Sequence, residues 1–448
     1  MFKHVPSLLR LAGPMILSSS TVTLMQLIDA LVLSRHSSQA VAAMGPASMA
    51  VILFQGVLWG VSGYAGTFVA HHHGAGNPDG ELKSAWLGLH ATWIAGVVAL
   101  VFAWPLTFLF CLAGHEPGVL WDERAYFGIC MAGSVFPVAG AALSGWLSGI
   151  GRTKVVTVVS FASFGMNAVL AWAFVLGRMG MPRWGIGGAA LATVASQMVA
   201  TALYLALFAR AGGFGDRAVR AMKRTEFVHF LKLAVPMGLR IAGELVSWTL
   251  FLVFVGRMGS VELAASSIAF RINGMAFFPA LGLGQAAGIL VGQARGAGRD
   301  DQVPAIGWQS LAVGEAWMLV MGSMFLLLSR PLMSAFAGNG PEGAAIVECG
   351  VVILRFIAFY CLFDAANVMI GYALAAVGDT HWIARAFFAF SGVFLGLLWL
   401  ADRLHPDLIL EWTLVTCFVF ATALTWSIRF HSGRWRRISV LRESPIDP

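Results

Sequence analysis

Long apolar windows alternate along the chain with short connections that are rich in charge, Pro and Gly. The windows are apolar throughout, whereas a membrane barrel strand would alternate over about ten residues. Because only a helix satisfies its own backbone hydrogen bonds over such lengths in lipid, each window predicts a membrane-spanning helix. The twelve predicted spans cover residues 8–33, 47–70, 85–112, 125–149, 155–177, 185–209, 230–256, 265–292, 304–329, 345–376, 382–401 and 408–430.

Composition supports this assignment. Of the 448 residues, 58% are hydrophobic and 11% are charged, against about 25% charged residues in soluble domains. A compact soluble chain cannot bury so large an apolar fraction, which excludes a soluble enzyme, a disordered protein and a secreted disulfide scaffold. The predicted fold class is all-α integral membrane, with twelve transmembrane helices.

The basic residues indicate how the chain is oriented. With an even number of spans both termini lie on one side, and that side carries 19 Lys and Arg residues, Arg442 among them, against 7 on the other. Because cytoplasmic loops carry an excess of positive charge, both termini are predicted to face the cytoplasm from the inner (plasma) membrane. The net charge of +7 therefore reflects topology, and no nucleic-acid partner is expected.

The second half of the chain repeats the first at a shift of 222 residues, without gaps. Pro14 returns as Pro236, Arg35 as Arg257, and the pair Ala65-Gly66 as Ala287-Gly288. A weaker match at a shift of 227 aligns Gly151 and Thr153 with Gly378 and Thr380. The chain is thus predicted to form two pseudo-symmetric six-helix lobes, as in transporters that place their substrate site between repeats near the membrane midplane.

The predicted divisions follow from the repeat and the charge. They are an N-terminal lobe (1–209), a basic cytoplasmic linker (210–229), a C-terminal lobe (230–430) and a basic cytoplasmic tail (431–448). We expect a monomer surrounded by membrane lipid.

Polar residues inside the first-half spans are candidates for function, since an ionisable group costs about 2.5–3.5 kcal/mol on insertion scales. Asp29 lies two-thirds along span 1 in a polar stretch that includes Gln26, Asn167 lies in span 5, and Thr193 lies in span 6. Asp29, Asn167 and Thr193 are candidates for an oxygen-rich pocket that suits either a hard cation or a carboxylate that exchanges protons.

The second half offers a different set. Arg240 and Glu244 are spaced i, i+4 on span 7 and share a face, either as a self-neutralising pair or with the carboxylate on the wall of the cleft. Asp364 lies in span 10 with Asn367 close by, and Arg271 in span 8 either lines the cleft or satisfies backbone at a kink. Gln26, Arg240, Asn367 and Arg271 are the weaker candidates, for the substrate cleft.

Catalytic and nucleotide-binding motifs are absent from the sequence. It contains no Walker sequence, no HExxH, no GxSxG, and no CxxC among its five cysteines. We therefore expect a protein that is not an enzyme and that holds no cofactor or metal.

Several motifs resemble one family in their order and spacing along nearly the whole chain. They are Leu11-Ala12-Gly13-Pro14 followed by Asp29, Gly145-Trp146-Leu147-Ser148-Gly149, Gly187-Gly188-Ala189-Ala190, Leu233-Ala234-Val235-Pro236, and Phe363-Asp364-Ala365 followed by Gly378-Asp379-Thr380. The chain is similar in these segments to the multidrug and toxic compound extrusion (MATE) family.

The resemblance implies an antiporter that exports amphipathic organic cations in exchange for Na⁺ or H⁺. It implies ion-coupling positions at Asp29, Asn167 and Thr193, and at Glu244 and Asp364 in the other lobe. Members often carry a second Asn or Asp four residues beyond the fifth-span Asn, where this chain has Ala171, which favours proton coupling or a second-lobe site. The alternative within the same superfamily is a flippase for lipid-linked saccharides or polyprenyl lipids.

Overall fold

The computed structural model describes residues 3–338 and 340–441, and these residues form helices and connections without a strand. The α-helices are α1 (Val5–Ser34), α2 (Ser38–Gly63), α3 (Ala65–Gly74), α4 (Pro78–Ala103), α5 (Pro117–Ala132), α6 (Val135–Gly149), α7 (Thr153–Leu176), α8 (Gly185–Arg210), α9 (Arg217–Arg220), α10 (Arg224–Met258), α11 (Ser260–Gly296), α12 (Gln302–Leu327), α13 (Ser329–Ser334), α14 (Pro341–Ala376), α15 (Thr380–Leu404) and α16 (Leu408–His431). Two 3-10 helices, Pro105–Ala113 and Arg434–Arg437, complete the set.

The structure confirms an all-α membrane protein with the predicted number of spans. Among the described residues eleven helices are long and apolar enough to cross a membrane, with α2 and α3 counted together as Ser38–Gly74. The pair α5 and α6, bent by 46° at a short break, makes the twelfth.

Two predicted span ends differ from the structure for local reasons. Span 2 was predicted to begin at residue 47, but α2 begins at Ser38 because the Ser37 side chain accepts a hydrogen bond from the Ala40 backbone N–H and caps the helix. Span 3 was predicted to end at residue 112, but α4 ends at Ala103. Pro105 cannot donate a backbone hydrogen bond, and the chain continues from there as a 3-10 helix.

The described chain forms two compact units, one of Met1–Ile16 with Gly243–Pro448 and one of Leu17–Ala242. The divisions fall inside α1 and α10, shortly after Pro14 and Pro236, which the sequence repeat aligns. The predicted lobes 1–209 and 230–430 follow the order of helices along the chain. In the compact units, by contrast, α1 up to Ile16 belongs with the second half of the chain, and α10 up to Ala242 belongs with the first half. Residues 442–448 of the predicted tail, with Arg442, lie outside the described residues.

Within each unit the repeat recurs as a close contact at an aligned glycine. In the unit Leu17–Ala242, a Cβ atom added to Gly66 on α3 would lie 2.9 Å from the carbonyl oxygen of Gly145 on α6. In the other unit, a Cβ atom added to Gly288 on α11 would lie 3.3 Å from the carbonyl oxygen of Tyr372 on α14. Small residues at helix crossings let backbones approach closely in membrane proteins, so these glycines set the helix spacing.

An aromatic contact is also repeated, at the last helix of each half. Trp86 and Phe208 pack edge to face with ring centroids 6.0 Å apart, and Trp308 and Phe430, each 222 positions later, pack in the same way at 5.7 Å. The alignment of α8 with α16 therefore holds in three dimensions.

We expect replacement of Gly66 by Ala to destabilise the protein. The added methyl group would overlap the α6 backbone, and overpacking typically costs about 1–3 kcal/mol. Gly165→Ala on α7 is the matched control, because a Cβ atom there meets nothing within 4 Å and Ala is favoured over Gly in a helix by about 0.5–1 kcal/mol. Thermal unfolding in detergent should show a lower midpoint temperature for Gly66→Ala and not for Gly165→Ala. Equal midpoints for the two variants would contradict the assigned contact.

Candidate ion-coupling site

A buried carboxylate lies on the second half of α1. Asp29 is only 4% exposed, and its Oδ2 accepts a hydrogen bond from the Thr193 hydroxyl at 3.5 Å. Within the described part of the chain its other oxygen, Oδ1, is buried and has no hydrogen-bond partner. A buried polar atom left unsatisfied costs about 1–3 kcal/mol, so this open oxygen calls for an explanation.

Two other residues predicted from the first half lie beside this carboxylate. Asn167 on α7 is fully buried and donates from Nδ2 to the Thr193 hydroxyl oxygen at 3.4 Å. Thr193 on α8 lies 3.1 Å from the carbonyl oxygen of Ala189 one turn earlier. The amide oxygen of Asn167, like Asp29 Oδ1, is buried without a partner among the described residues. The structure therefore brings Asp29, Asn167 and Thr193 together, with two open oxygen atoms.

Sequence reasoning missed two further members of this site, both on α5. Tyr126 is 6% exposed and Cys130 is 3% exposed, and the Tyr126 side chain is close enough to Thr193 and Cys130 to interact with both. A Tyr in a membrane span is usually an interface anchor, so its presence alone does not indicate a functional site. The signal that would have found it is the i, i+4 spacing of Tyr126 and Cys130 in the span, which places both on one helix face.

We refer to Asp29, Asn167, Thr193, Tyr126 and Cys130 as the Asp29 cluster. Its members come from α1, α5, α7 and α8 of the unit Leu17–Ala242.

The second-half candidates form a separate polar group. Asp364 on α14 interacts electrostatically with Glu244 on α10 and with Tyr360, one turn earlier on α14. The Tyr360 hydroxyl accepts a hydrogen bond from Asn273 Nδ2 on α11 at 3.2 Å. We refer to Asp364, Glu244, Tyr360 and Asn273 as the Asp364 cluster; Tyr360 was not among the predicted residues.

The weaker candidates for the substrate cleft lie elsewhere. Gln26 on α1 and Arg271 on α11 are exposed, and Arg240 on α10 is half-buried. Asn367 on α14 donates from Nδ2 to the backbone carbonyl oxygen of Val419 on α16 at 3.0 Å, which ties two helices of one unit together. The role of these four residues in a substrate cleft stays a prediction.

The repeat does not duplicate the Asp29 cluster. The shift of 222 residues aligns Asp29 with Phe251 and Thr193 with Val415, and the shift of 227 that aligns α7 with α15 places Asn167 on Phe394. Phe251, Val415 and Phe394 are at most 4% exposed and belong to one apolar core. The centroids of the Phe251 and Phe394 rings lie 6.5 Å apart. One unit thus buries polar groups where the other buries aromatic rings.

Comparison with known proteins places the chain in a family. The MatE family model matches residues 14–173 and 236–399, one segment in each half of the repeat. The resemblance noted in the sequence is confirmed: this membrane protein of twelve spans belongs to the MatE family.

Curated relatives share this family over most of their length. The "Probable multidrug resistance protein NorM" of Deinococcus radiodurans is 30% identical over 385 residues, which cover 84% of this chain and 83% of the relative. The "Multidrug resistance protein NorM" of Burkholderia vietnamiensis is 29% identical over 452 residues, covering 96% of this chain and 94% of the relative.

Solved structures share the fold. A multidrug resistance MATE family transporter of the MOP superfamily, in an outward-facing conformation, superposes with a TM-score of 0.86 over 96% of both chains at 18% identity. A MOP superfamily transporter from Pyrococcus furiosus superposes with a TM-score of 0.85, also over 96% of both chains, at 19% identity.

Proposed function

We propose that this chain is a multidrug efflux transporter that exports amphipathic organic cations across the inner membrane in exchange for protons. Family membership and the names of the NorM relatives support efflux of small molecules. The observation that carries the exchange is the buried Asp29 carboxylate with one open oxygen. A buried carboxylate without contact to water lowers its free energy by taking up a proton, because the neutral form costs less to bury. Release of that proton completes an exchange cycle.

The ligand set around Asp29 favours H⁺ over Na⁺. Side-chain oxygens come from Asp29, Asn167, Thr193 and Tyr126, whereas Ala171, one turn beyond Asn167, is fully buried and offers no ligand. Hard metal ions in proteins take about six oxygen ligands, and a proton needs only one carboxylate. The pocket is therefore better suited to protonation of Asp29 than to a metal ion.

We assign the Asp364 cluster to attraction of the cationic substrate. Glu244 and Asp364 are two carboxylates that interact inside membrane-spanning helices. Like charges that lie near each other repel, and a cation placed near both relieves that repulsion. In this proposal the proton binds in the unit Leu17–Ala242, and the positive charge of the substrate is attracted by the Asp364 cluster of the other unit.

The remaining parts of the proposal rest on the repeat and the charge pattern. Transporters built from two repeats alternate the access of a site to the two sides of the membrane, which needs no catalytic residue and no cofactor. The excess of Lys and Arg puts both termini in the cytoplasm. We expect a monomer that contacts lipid and no nucleic acid.

Replacement of Asp29 by Asn is expected to abolish proton-driven export, because the amide has a similar shape but does not ionise near pH 7. The measurement is uptake of ethidium into everted membrane vesicles energised by respiration. Asp79→Asn, the same change at an exposed residue in the first turn of α4, should transport like the unchanged protein. Full transport by Asp29→Asn at normal expression would refute the assigned role.

The coupling ion is tested with purified protein in proteoliposomes that hold either a pH gradient or a Na⁺ gradient of equal size. We expect the pH gradient alone to drive ethidium accumulation, with proton movement in the opposite direction detected by an entrapped pH-sensitive dye. Accumulation driven by Na⁺ at uniform pH would overturn proton coupling while leaving efflux in place.

A further inference from the structure

A second buried carboxylate lies in the second turn of α5, in the unit Leu17–Ala242 that also holds Asp29. Glu123 has no exposed surface, and its Oε1 lies 2.8 Å from Nδ1 of His115. His115 is in the connection between the 3-10 helix Pro105–Ala113 and α5, with 37% of its side chain exposed. The other carboxylate oxygen, Oε2, is buried and has no hydrogen-bond partner among the residues described. Glu123 is thus in contact with an exposed imidazole on one side and has an open oxygen on the other.

The buried groups that follow on α5 share a face with Glu123. At 3.6 residues per turn, Glu123, Tyr126 and Cys130 fall within about 60° of one another around the helix, and all three are buried. Tyr126 is the next polar group on this face, one turn from Glu123, and its side chain is close enough to Thr193 to interact with it. Thr193 in turn contacts Asp29 Oδ2 at 3.5 Å. Polar groups therefore succeed one another from exposed His115 to buried Asp29, and the step from Glu123 to Tyr126 spans one turn of α5.

Two other charged groups near Glu123 are engaged in contacts outside this succession of polar groups. Asp122 accepts a hydrogen bond from Gln39 of α2 at 3.0 Å. Arg124 donates to the sulfur of Cys111 at 2.7 Å and lies over the Phe108 ring at 5.4 Å.

The helices packed against α5 add no further ionisable group near Glu123. These helices are α2, α4 and α8. Residues 38–51 of α2, 91–103 of α4 and 185–197 of α8 contain no Asp, Glu, His, Lys, Arg, Cys or Tyr. The titratable groups of this region are therefore His115, Glu123, Tyr126, Cys130 and Asp29, together with Cys111, Glu116, Asp122 and Arg124.

We propose that His115 and Glu123 form a proton relay that connects the surface opposite the termini with Asp29. The proposal rests on the proton coupling proposed above. The His115 imidazolium transfers its Nδ1 proton to Glu123. The Glu123 carboxyl then donates a proton to the Tyr126 oxygen as the Tyr126 hydroxyl passes its own proton to Thr193 and the Thr193 hydroxyl passes its proton to Asp29. Each hydroxyl ends with one proton, Asp29 gains one, and Glu123 returns to the carboxylate.

A purely structural role for Glu123 would account for only part of this arrangement. A carboxylate in the first turns of a helix is stabilised by the helix dipole, and the contact with His115 fastens the preceding loop. Neither effect requires the second oxygen to be buried without a partner among the described residues. The two roles differ in whether the rate of proton-driven transport depends on the exchangeable proton of Glu123.

The test uses the full chain in proteoliposomes, with ethidium as the probe and an imposed pH gradient. Glu123→Gln retains the size of the side chain and an oxygen for His115 but cannot transfer a proton. We expect its maximal rate to fall about a hundredfold, the lower end of what a positioned proton-transfer group contributes, with unchanged KM and unchanged ethidium binding. Glu123→Asp, which keeps a carboxyl group, should recover part of the rate. His115→Gln should make the transport rate less dependent on the pH of the compartment to which His115 is exposed.

Glu116→Gln is the matched control, since Glu116 is exposed and its side chain does not cap α5. It should transport like the unchanged protein. The relay is overturned if Glu123→Gln keeps the normal rate and pH profile, or if its loss of rate is accompanied by an equal loss of ethidium binding and a lower unfolding midpoint. Failure of proton coupling itself is observed separately, because the unchanged protein would then not accumulate ethidium in response to the pH gradient. That result would overturn the relay as well.

Discussion

Inside a bilayer no water is available to hydrogen-bond a polar group, and this constraint determines both the fold and the site. The backbone meets it by forming helices along nearly the whole described chain. Many polar side chains in the spans meet it by bonding to the backbone of their own or a neighbouring helix, as Thr201 of α8 does with the carbonyl oxygen of Phe136 of α6. Some buried atoms of the described residues do not meet it, among them oxygens of Asp29, Asn167 and Glu123 and both carboxylate oxygens of Glu411. Such exceptions cost free energy, and those of Asp29 and Asn167 lie together in one cluster.

The two halves of the repeat meet the same constraint in different ways. The helix contacts at Gly66 and Gly288 and the aromatic pairs Trp86–Phe208 and Trp308–Phe430 are retained in both. The positions of Asp29, Asn167 and Thr193, by contrast, become Phe251, Phe394 and Val415 in the second half, where aromatic packing needs no partner for any polar atom. Helix packing is therefore repeated, and the chemistry is not. The separate Asp364 cluster lies at other positions of the repeat, which allows the two units to serve different ligands.

Much of this was predictable from the sequence because the signals are strong in a membrane protein. The apolar windows predicted the spans, and the motifs around Pro14 and Pro236 predicted the family. Asp29, Asn167 and Thr193 were predicted because polar groups are rare in lipid. Span ends were less predictable: α4 ends before Pro105 although apolar residues continue, since hydropathy does not register a missing backbone donor. Tyr126 and Glu123 were missed because a Tyr in a span and an acidic residue near a span end are both ordinary features of membrane proteins.

The sequence by itself determined the class of fold, the number of spans, the repeat and the rare polar residues within the spans, because each of these depends on composition over a window of neighbouring residues. Only the tertiary structure decided which of those residues meet. Asp29 is separated from Asn167 and Thr193 by more than a hundred positions along the chain, yet the three converge because α1, α7 and α8 pack in one unit. The structure also decided which oxygens remain open, since hydrogen-bond partners come from neighbouring helices whose facing side chains no local pattern records.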